Sequence, residues 1–216
     1  MKTIYVSGPK QAPHVGIVAA AMKVAVLFAR ADSFYKTLPG CDVYDIDRDA
    51  RTWGGGSPVV AHPPCRAWGV LSHMAKPRPD EKDLARWAVR QVREWGGVLE
   101  HPNASRLWAD QELAVSVSRD CAGGWTLPVN QHWFGHRAEK RTLLYIVGCE
   151  PNDIPELPMV LGEAPCIVGT PGRRLNGQRL KAGDLHYRPE TSKAEREHTP
   201  PDLARWLVEL ASRCRP

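Results

Sequence analysis

Short apolar runs and longer stretches with helical periodicity alternate along this chain. Residues 23–28, 42–47, 57–61 and 98–102 are rich in β-branched and small apolar residues and read as short strands. Helices are predicted between Ser33 and Leu38, stopped by Pro39-Gly40, and over 81–95, where Leu84, Trp87, Ala88, Gln91-Val92 and Trp95 share a stripe. Two more are predicted over 104–113, opened by Asn103, and over 203–213, where Leu203, Trp206, Leu207 and Leu210 form one face. Strands alternating with helices predict an α/β fold on a mostly parallel sheet. Residues 128–135 and 142–148 read as two further strands, the second closing antiparallel to the first across the charged connection 136–141.

Gly54-Gly55-Gly56 precedes a strand instead of following one, so it reads as a connector and not as a phosphate loop. Asp80 stands where it can cap the helix over 81–95, and Trp87 and Trp95 read as core. Residues 149–196 are rich in Pro and Gly and carry Arg173-Arg174, Arg179, Lys181, His186 and Arg188. They read either as a segment that lies along a phosphate backbone or as irregular chain without a ligand. Residues 1–21 read either as an extension before an alternative start at Met22, or as a strand over 3–6 and a helix over 16–21 on the sheet edge. The chain therefore divides into an N-terminal extension (1–21), a catalytic core (22–148), an irregular basic segment (149–196) and a closing helix (197–216).

The composition of the 216 residues, 43% hydrophobic and 25% charged, is that of an ordinary soluble domain, and no membrane partner is expected. Ser7-Gly8-Pro9-Lys10-Gln11 interrupts any signal-peptide core, so no targeting segment is expected. Six scattered cysteines without a CxxC pair point to free thiols in a reducing cytoplasm. The net charge of +5 suits an anionic partner such as nucleic acid, and no obligate protein partner is expected.

Candidate chemistry collects at strand ends. Pro63-Pro64 cannot extend a ladder, so Cys65 is delivered at a strand's carboxyl end, where open α/β sheets bind ligands. It is either a nucleophile or a structural thiol. Asp45 or Asp47, ending the second strand, is placed for ribose hydroxyls or for capping the next turn. Glu100-His101-Pro102 ends another apolar strand in the same way.

Pro64-Cys65, Glu100-His101-Pro102 and the basic connection after Phe134-Gly135 resemble, in order and spacing, the cytosine-C5 DNA methyltransferases. Those enzymes carry a catalytic Pro-Cys loop, a Glu-Asn-Val loop and a Gln-x-Arg-x-Arg turn before a closing strand. Leu27-Phe28-Ala29 is similar to the opening of that family's cofactor motif, and residues 199–210 stand where the family has its closing helix. The resemblance implies a Rossmann-like methyltransferase sheet, a compact member of phage or mobile-element type, and a host-cytoplasmic location. It implies S-adenosylmethionine as cofactor, held by Phe28, Ala29, Asp45, Ile46 and Pro64. It also implies DNA as partner, the target pyrimidine flipped or single-stranded, with residues 149–196 as a reduced target-recognition region. Cys65 would add to C6 of the base, Glu100 would stabilise the ring, and Arg137 or Arg141 would assist near O2. His62, Arg66, His101, Lys140, Arg173 and Arg174 would contact substrate or DNA, and Arg66 and His62 would activate the Cys65 thiol.

Where the family has a glycine-rich turn this chain reads Arg30-Ala31-Asp32-Ser33. That motivates a first rival, the same nucleophile acting on a modified or unmodified pyrimidine with another donor. A second rival is a non-catalytic DNA-binding remnant. A third is a metal site drawn from His62, Cys65, His101, His132 and His136, although no metal is expected from residues without paired ligand spacing.

Overall fold

The computed structural model describes residues 23–70, 72–169, 172–173 and 176–215. Residues 1–21 and Arg174 lie outside the described residues. Among the described residues the strands are β1 (Val24–Leu27), β2 (Cys41–Tyr44), β3 (Val59–Ala61), β4 (Gly97–Pro102), β5 (Trp125–Asn130), β6 (Ala138–Glu139), β7 (Arg141–Val147) and β8 (Cys166–Ile167). The helices are α1 (Glu81–Trp95), α2 (Leu107–Asp110), α3 (Lys193–Glu197) and α4 (Pro201–Arg213).

Six strands form one mixed sheet in the order β2-β1-β3-β4-β7-β5. The β2, β1, β3 and β4 strands run parallel, and β7 is antiparallel to both its neighbours. The parallel strands therefore end on one edge, at Leu27, Tyr44, Ala61 and Pro102. Both faces are covered, so the strands are apolar on both sides. Val24, Val26, Val60, Val98 and Ile146 pack under α4 with Leu203, Leu207 and Leu210, each such leucine contributing about 1.5–3 kcal/mol by burial. Ala25, Leu27, Val59, Ala61 and Leu99 pack on the other face with Ala85, Ala88, Val89 and Val92 of α1.

The turn from α1 into β4 is fixed by glycine. Gly97 has φ of 121°, and a Cβ there would lie 2.1 Å from the Val59 carbonyl oxygen, so β3 and β4 meet only if this residue has no side chain. Trp87 and Trp95 of α1, expected in the core, are half-buried and pack against its margin.

Several elements differ from the sequence expectation. The helix before Pro39 is a single 3₁₀ turn (Phe34–Thr37), since only five residues separate Ser33 from Pro39. The helix expected over 104–113 shrinks to α2 because β4 runs on to Pro102 and Asn103-Ala104 form a turn, and Ser105, not Asn103, accepts the Leu107 N–H. The strand expected over 128–135 begins at Trp125 and ends at Asn130, where the next residues wind into a 3₁₀ turn. Asp80 occupies the cap position of α1 without a side-chain cap bond. Within 149–196, β8 pairs with β6, and α3 follows Ser192, whose hydroxyl accepts the Glu195 N–H. Among the described residues no helix is long and apolar enough to cross a membrane.

Candidate active site

The carboxyl ends of the parallel strands open into two adjoining clefts. Backbone bonds place their shared wall: the His62 N–H donates to the Leu27 carbonyl and the Ala29 N–H to the Tyr44 carbonyl, each extending a ladder by one step. Pro63-Pro64 then ends pairing, and Phe28, Ala29, His62 and Pro64 stand between the clefts, lining both. Phe28 takes φ of 62°, a left-handed backbone that costs a bulky residue about 1–3 kcal/mol and marks a site held by its surroundings.

The first cleft, about 250 Å³, is also lined by Asp45, Ile46, Asp49, Arg51, Arg78 and Asp80. All five residues expected to hold a cofactor, Phe28, Ala29, Asp45, Ile46 and Pro64, therefore meet here. Ile46 presents an exposed apolar side chain to it. Asp45, not Asp47, faces this cleft, and it is already engaged: Oδ1 accepts the Asp47 and Arg48 N–H groups and Oδ2 pairs with Lys36. Lys36 and these N–H groups hold its carboxyl below the usual range. The ribose and capping readings of Asp45 thus describe one side chain, with its capping role occupied in this structure.

The second cleft, about 240 Å³, gathers Cys65, Glu100 and Lys140, with Tyr35 and Pro102 behind and Arg30, Arg196, Glu197 and His198 at its rim. Glu100 is the most heavily bonded group. Its Oε1 accepts from Gln131 Nε2 at 3.0 Å and from Thr142 Oγ1 at 2.9 Å, and its Oε2 accepts from His62 Nδ1 at 3.0 Å. Burial alone would push this carboxyl up, but the His62 hydrogen bond, the Lys140 charge and the Thr142 hydroxyl outweigh it and hold it at about 2. Cys65 is exposed at the cleft mouth, yet the surrounding protein and the Glu100 charge push its thiol up, while the Lys140 charge offsets part of the rise. Lys140 is half-buried; its carbonyl accepts the Gln131 N–H, and its ammonium makes no ion pair or hydrogen bond among the described residues.

Other expected contacts are corrected. His101 is fully buried on the opposite face, edge-on to Trp108 at 6.2 Å, because the residue after Glu100 in a strand points the other way. Arg141 is exposed with its nearest acid Glu139 at 3.9 Å, and Arg137 reaches Glu195 at 3.5 Å in a neighbouring hollow. Neither lines the cleft that holds Cys65. Arg66 turns away to pair with the buried Glu81, and His62 is engaged with Tyr35 and Glu100, so neither activates Cys65. Arg173 is exposed in the irregular segment, donating to the Gly177 carbonyl. The five residues of the metal reading are dispersed, with His101 across the sheet and His132 bonded to the His136 carbonyl. Tyr35, Gln131 and Thr142 are additions. Thr142 was legible as the same-face neighbour two positions after Lys140, whereas Tyr35 carried no signal in the sequence.

No protein-family model matches this chain, and neither a curated protein nor a solved structure matches it.

Proposed function

We propose that this chain is a DNA base-modifying transferase with a Rossmann-like methyltransferase sheet, which transfers a methyl group to C5 of cytosine through a covalent bond between Cys65 and C6. The observation that carries this reading is the shared wall. A cleft with a thiol, a carboxylate and an ammonium adjoins, across Phe28, Ala29, His62 and Pro64, a second one with an exposed apolar face and an acid at a strand end. A mostly parallel sheet with its antiparallel strand one in from the edge supports the fold, and ligand sites in such sheets lie beyond the strands' carboxyl ends.

The residues of the first cleft fit an adenosine: Ile46 and Phe28 offer apolar surface to the purine, and the Asp45 carboxylate retains one acceptor site, on Oδ2, for a ribose hydroxyl. S-adenosylmethionine bound there supplies an electrophilic methyl carbon. In the second cleft the Cys65 sulfur adds to C6, its proton leaving to solvent, and the C5–C6 π pair becomes nucleophilic at C5. Glu100 accepts an N–H of the base, and Lys140 donates to the ring oxygen that gains charge on addition. C5 would take the methyl carbon as its bond to the donor's sulfur breaks, that sulfur keeping the pair as a neutral thioether; C5 then loses its proton to water, the C–S bond to Cys65 breaks, and Cys65 leaves as the thiolate.

The rim favours one second reading. Arg30 stands where a glycine would leave room for the amino-acid end of S-adenosylmethionine, and it spans to Glu197 at 3.0 Å and Asp32 at 2.9 Å. A donor other than S-adenosylmethionine would suit that rim. Isothermal titration with S-adenosylmethionine separates the two: micromolar binding lost in Asp45→Ala supports the methyl donor, and no binding at millimolar ligand removes it.

A further inference from the structure

His62 and Tyr35 have no part in the reaction as written, yet they are tied to its carboxylate. Tyr35 Oη lies 2.9 Å from His62 Nε2, and His62 Nδ1 lies 3.0 Å from Glu100 Oε2. Tyr35 is fully buried, and the His62 and Glu100 side chains are each 12% exposed. The proton positions follow from the partners. A nitrogen 3.0 Å from an ionised carboxylate must carry hydrogen, because two facing lone pairs repel, so Nδ1 is the donor. In the neutral ring Nε2 is then an acceptor, and it takes the Tyr35 O–H. Burial and the Glu100 charge both keep the Tyr35 phenol protonated, as that arrangement requires.

Glu100 has no further freedom once these bonds are made. Each carboxylate oxygen offers two acceptor sites. Gln131 and Thr142 fill those of Oε1, and His62 fills one on Oε2. One acceptor remains, on the oxygen that His62 orients.

We propose that Tyr35 and His62 are positioning residues that fix the Nδ1–H tautomer and thereby leave Glu100 a single acceptor, on Oε2, for one N–H of the target base. This rests on the transferase reading above, but its geometry can be tested without turnover. The titratable and charged groups facing Glu100 are His62 beyond β3, Lys140 before β7, and Tyr35 and Cys65 on the two adjoining loops; Gln131 and Thr142 add neutral donors. Any change in Glu100 titration must be read against Lys140 and Cys65, which the variants below leave in place.

The test uses two substitutions that keep opposite halves of the imidazole. His62→Asn retains a donor near the Nδ1 position, and His62→Gln retains a polar group near Nε2. In the full chain with carbon-13-labelled glutamate, the Glu100 carboxyl of His62→Asn is expected to titrate as in the parent. That of His62→Gln is expected to move up by about one pH unit or more. With nitrogen-15-labelled histidine, the parent is expected to show the Nδ1–H tautomer with a hydrogen-bonded Nε2, and Tyr35→Phe the same tautomer with the Nε2 signal moved towards that of a free acceptor. In methyl transfer, His62→Gln is expected to lower kcat about 10- to 100-fold, with His62→Asn restoring most of it. An unshifted Glu100 in folded His62→Gln, or an Nε2–H tautomer in the parent, overturns the proposal. If the titrations behave as expected while the parent transfers no methyl group, the transferase reading fails and the positioning geometry stands. Should His62→Gln not fold, His62→Asn and the Tyr35→Phe Nε2 signal decide the matter, an Nε2 signal identical to the parent's overturning the proposal.

Discussion

Lys140 and Arg141 are consecutive, and they face opposite sides of the chain: Lys140 lines the cleft with Glu100, while Arg141 stands in solvent beside Glu139. Strand periodicity explains it, because Thr142, on Lys140's side, bonds Glu100, and the residue between them must point away. Lys140→Met is therefore expected to reduce covalent trapping on 5-fluorocytosine DNA about tenfold or more, and Arg141→Met about twofold or less. Gel quantification of the trapped complex checks this, and equal losses would contradict the assignment.

Cys65 reports the same electrostatics without substrate. The Glu100 charge raises its thiol and the Lys140 charge lowers it, so Glu100→Gln makes the thiolate easier to form and Lys140→Met harder. A half-unit change is about threefold in thiolate below the pKa. Iodoacetamide alkylation of Cys65 at pH 8 is expected to be faster than the parent in Glu100→Gln and slower in Lys140→Met. The opposite order would show that these charges do not act on the thiol.

His101 predicts an acid limb in stability. Burial holds its imidazole at about 4, against an ordinary value of 6.5, so the unfolded chain takes up the proton first as pH falls. Its neutral form supports the fold fully above pH 6.5, and about 3 kcal/mol is lost between 6.5 and 4. Glu100, held at about 2, adds a second loss below pH 4.5. Both His101 ring nitrogens lack partners among the described residues, so His101→Leu is expected to keep stability at pH 7 within about 1 kcal/mol and to flatten the upper limb. Urea titrations at pH 7, 5.5 and 4.5 measure it, and an unchanged slope in the variant would rule His101 out as its source.

Phe28 carries left-handed backbone with its ring edge-on to Trp87 at 5.9 Å. Phe28→Ala and Phe28→Gly lose the same ring, but only Ala keeps the Cβ that this backbone disfavours. Phe28→Gly is expected to be the more stable by about 1 kcal/mol. Denaturation midpoints that place Ala above Gly would mean that the backbone relaxes and stores no strain.

The sheet was legible because its strands are apolar on both faces and end at Pro63-Pro64 and at Pro102, punctuation that local chemistry dictates. That Phe28, Ala29, Asp45, Ile46 and Pro64 line one cleft follows from the same punctuation, since each lies at or just beyond a strand's carboxyl end, although it was the order of motifs in the resemblance that grouped them. Connections were read less well. The five residues between Ser33 and Pro39 leave room for only one 3₁₀ turn, which the helix expectation overlooked, and nothing local says that Ser105, not Asn103, accepts the Leu107 N–H. The basic residue of the cleft was misassigned to Arg137 or Arg141 because type was weighed above parity along the strand, and His101 was misplaced for the same reason. Tyr35, 27 residues before its partner His62, depends on tertiary packing that no spacing reveals.

The most direct test is mass spectrometry of nucleosides from DNA incubated with the protein and methyl-labelled S-adenosylmethionine. The expected result is label on C5 of cytosine with the parent chain and none with Cys65→Ala, which should retain the fold because the residue is exposed. Unlabelled DNA carrying a new mass would give the reaction to another donor, and label that persists in Cys65→Ala would contradict the covalent mechanism.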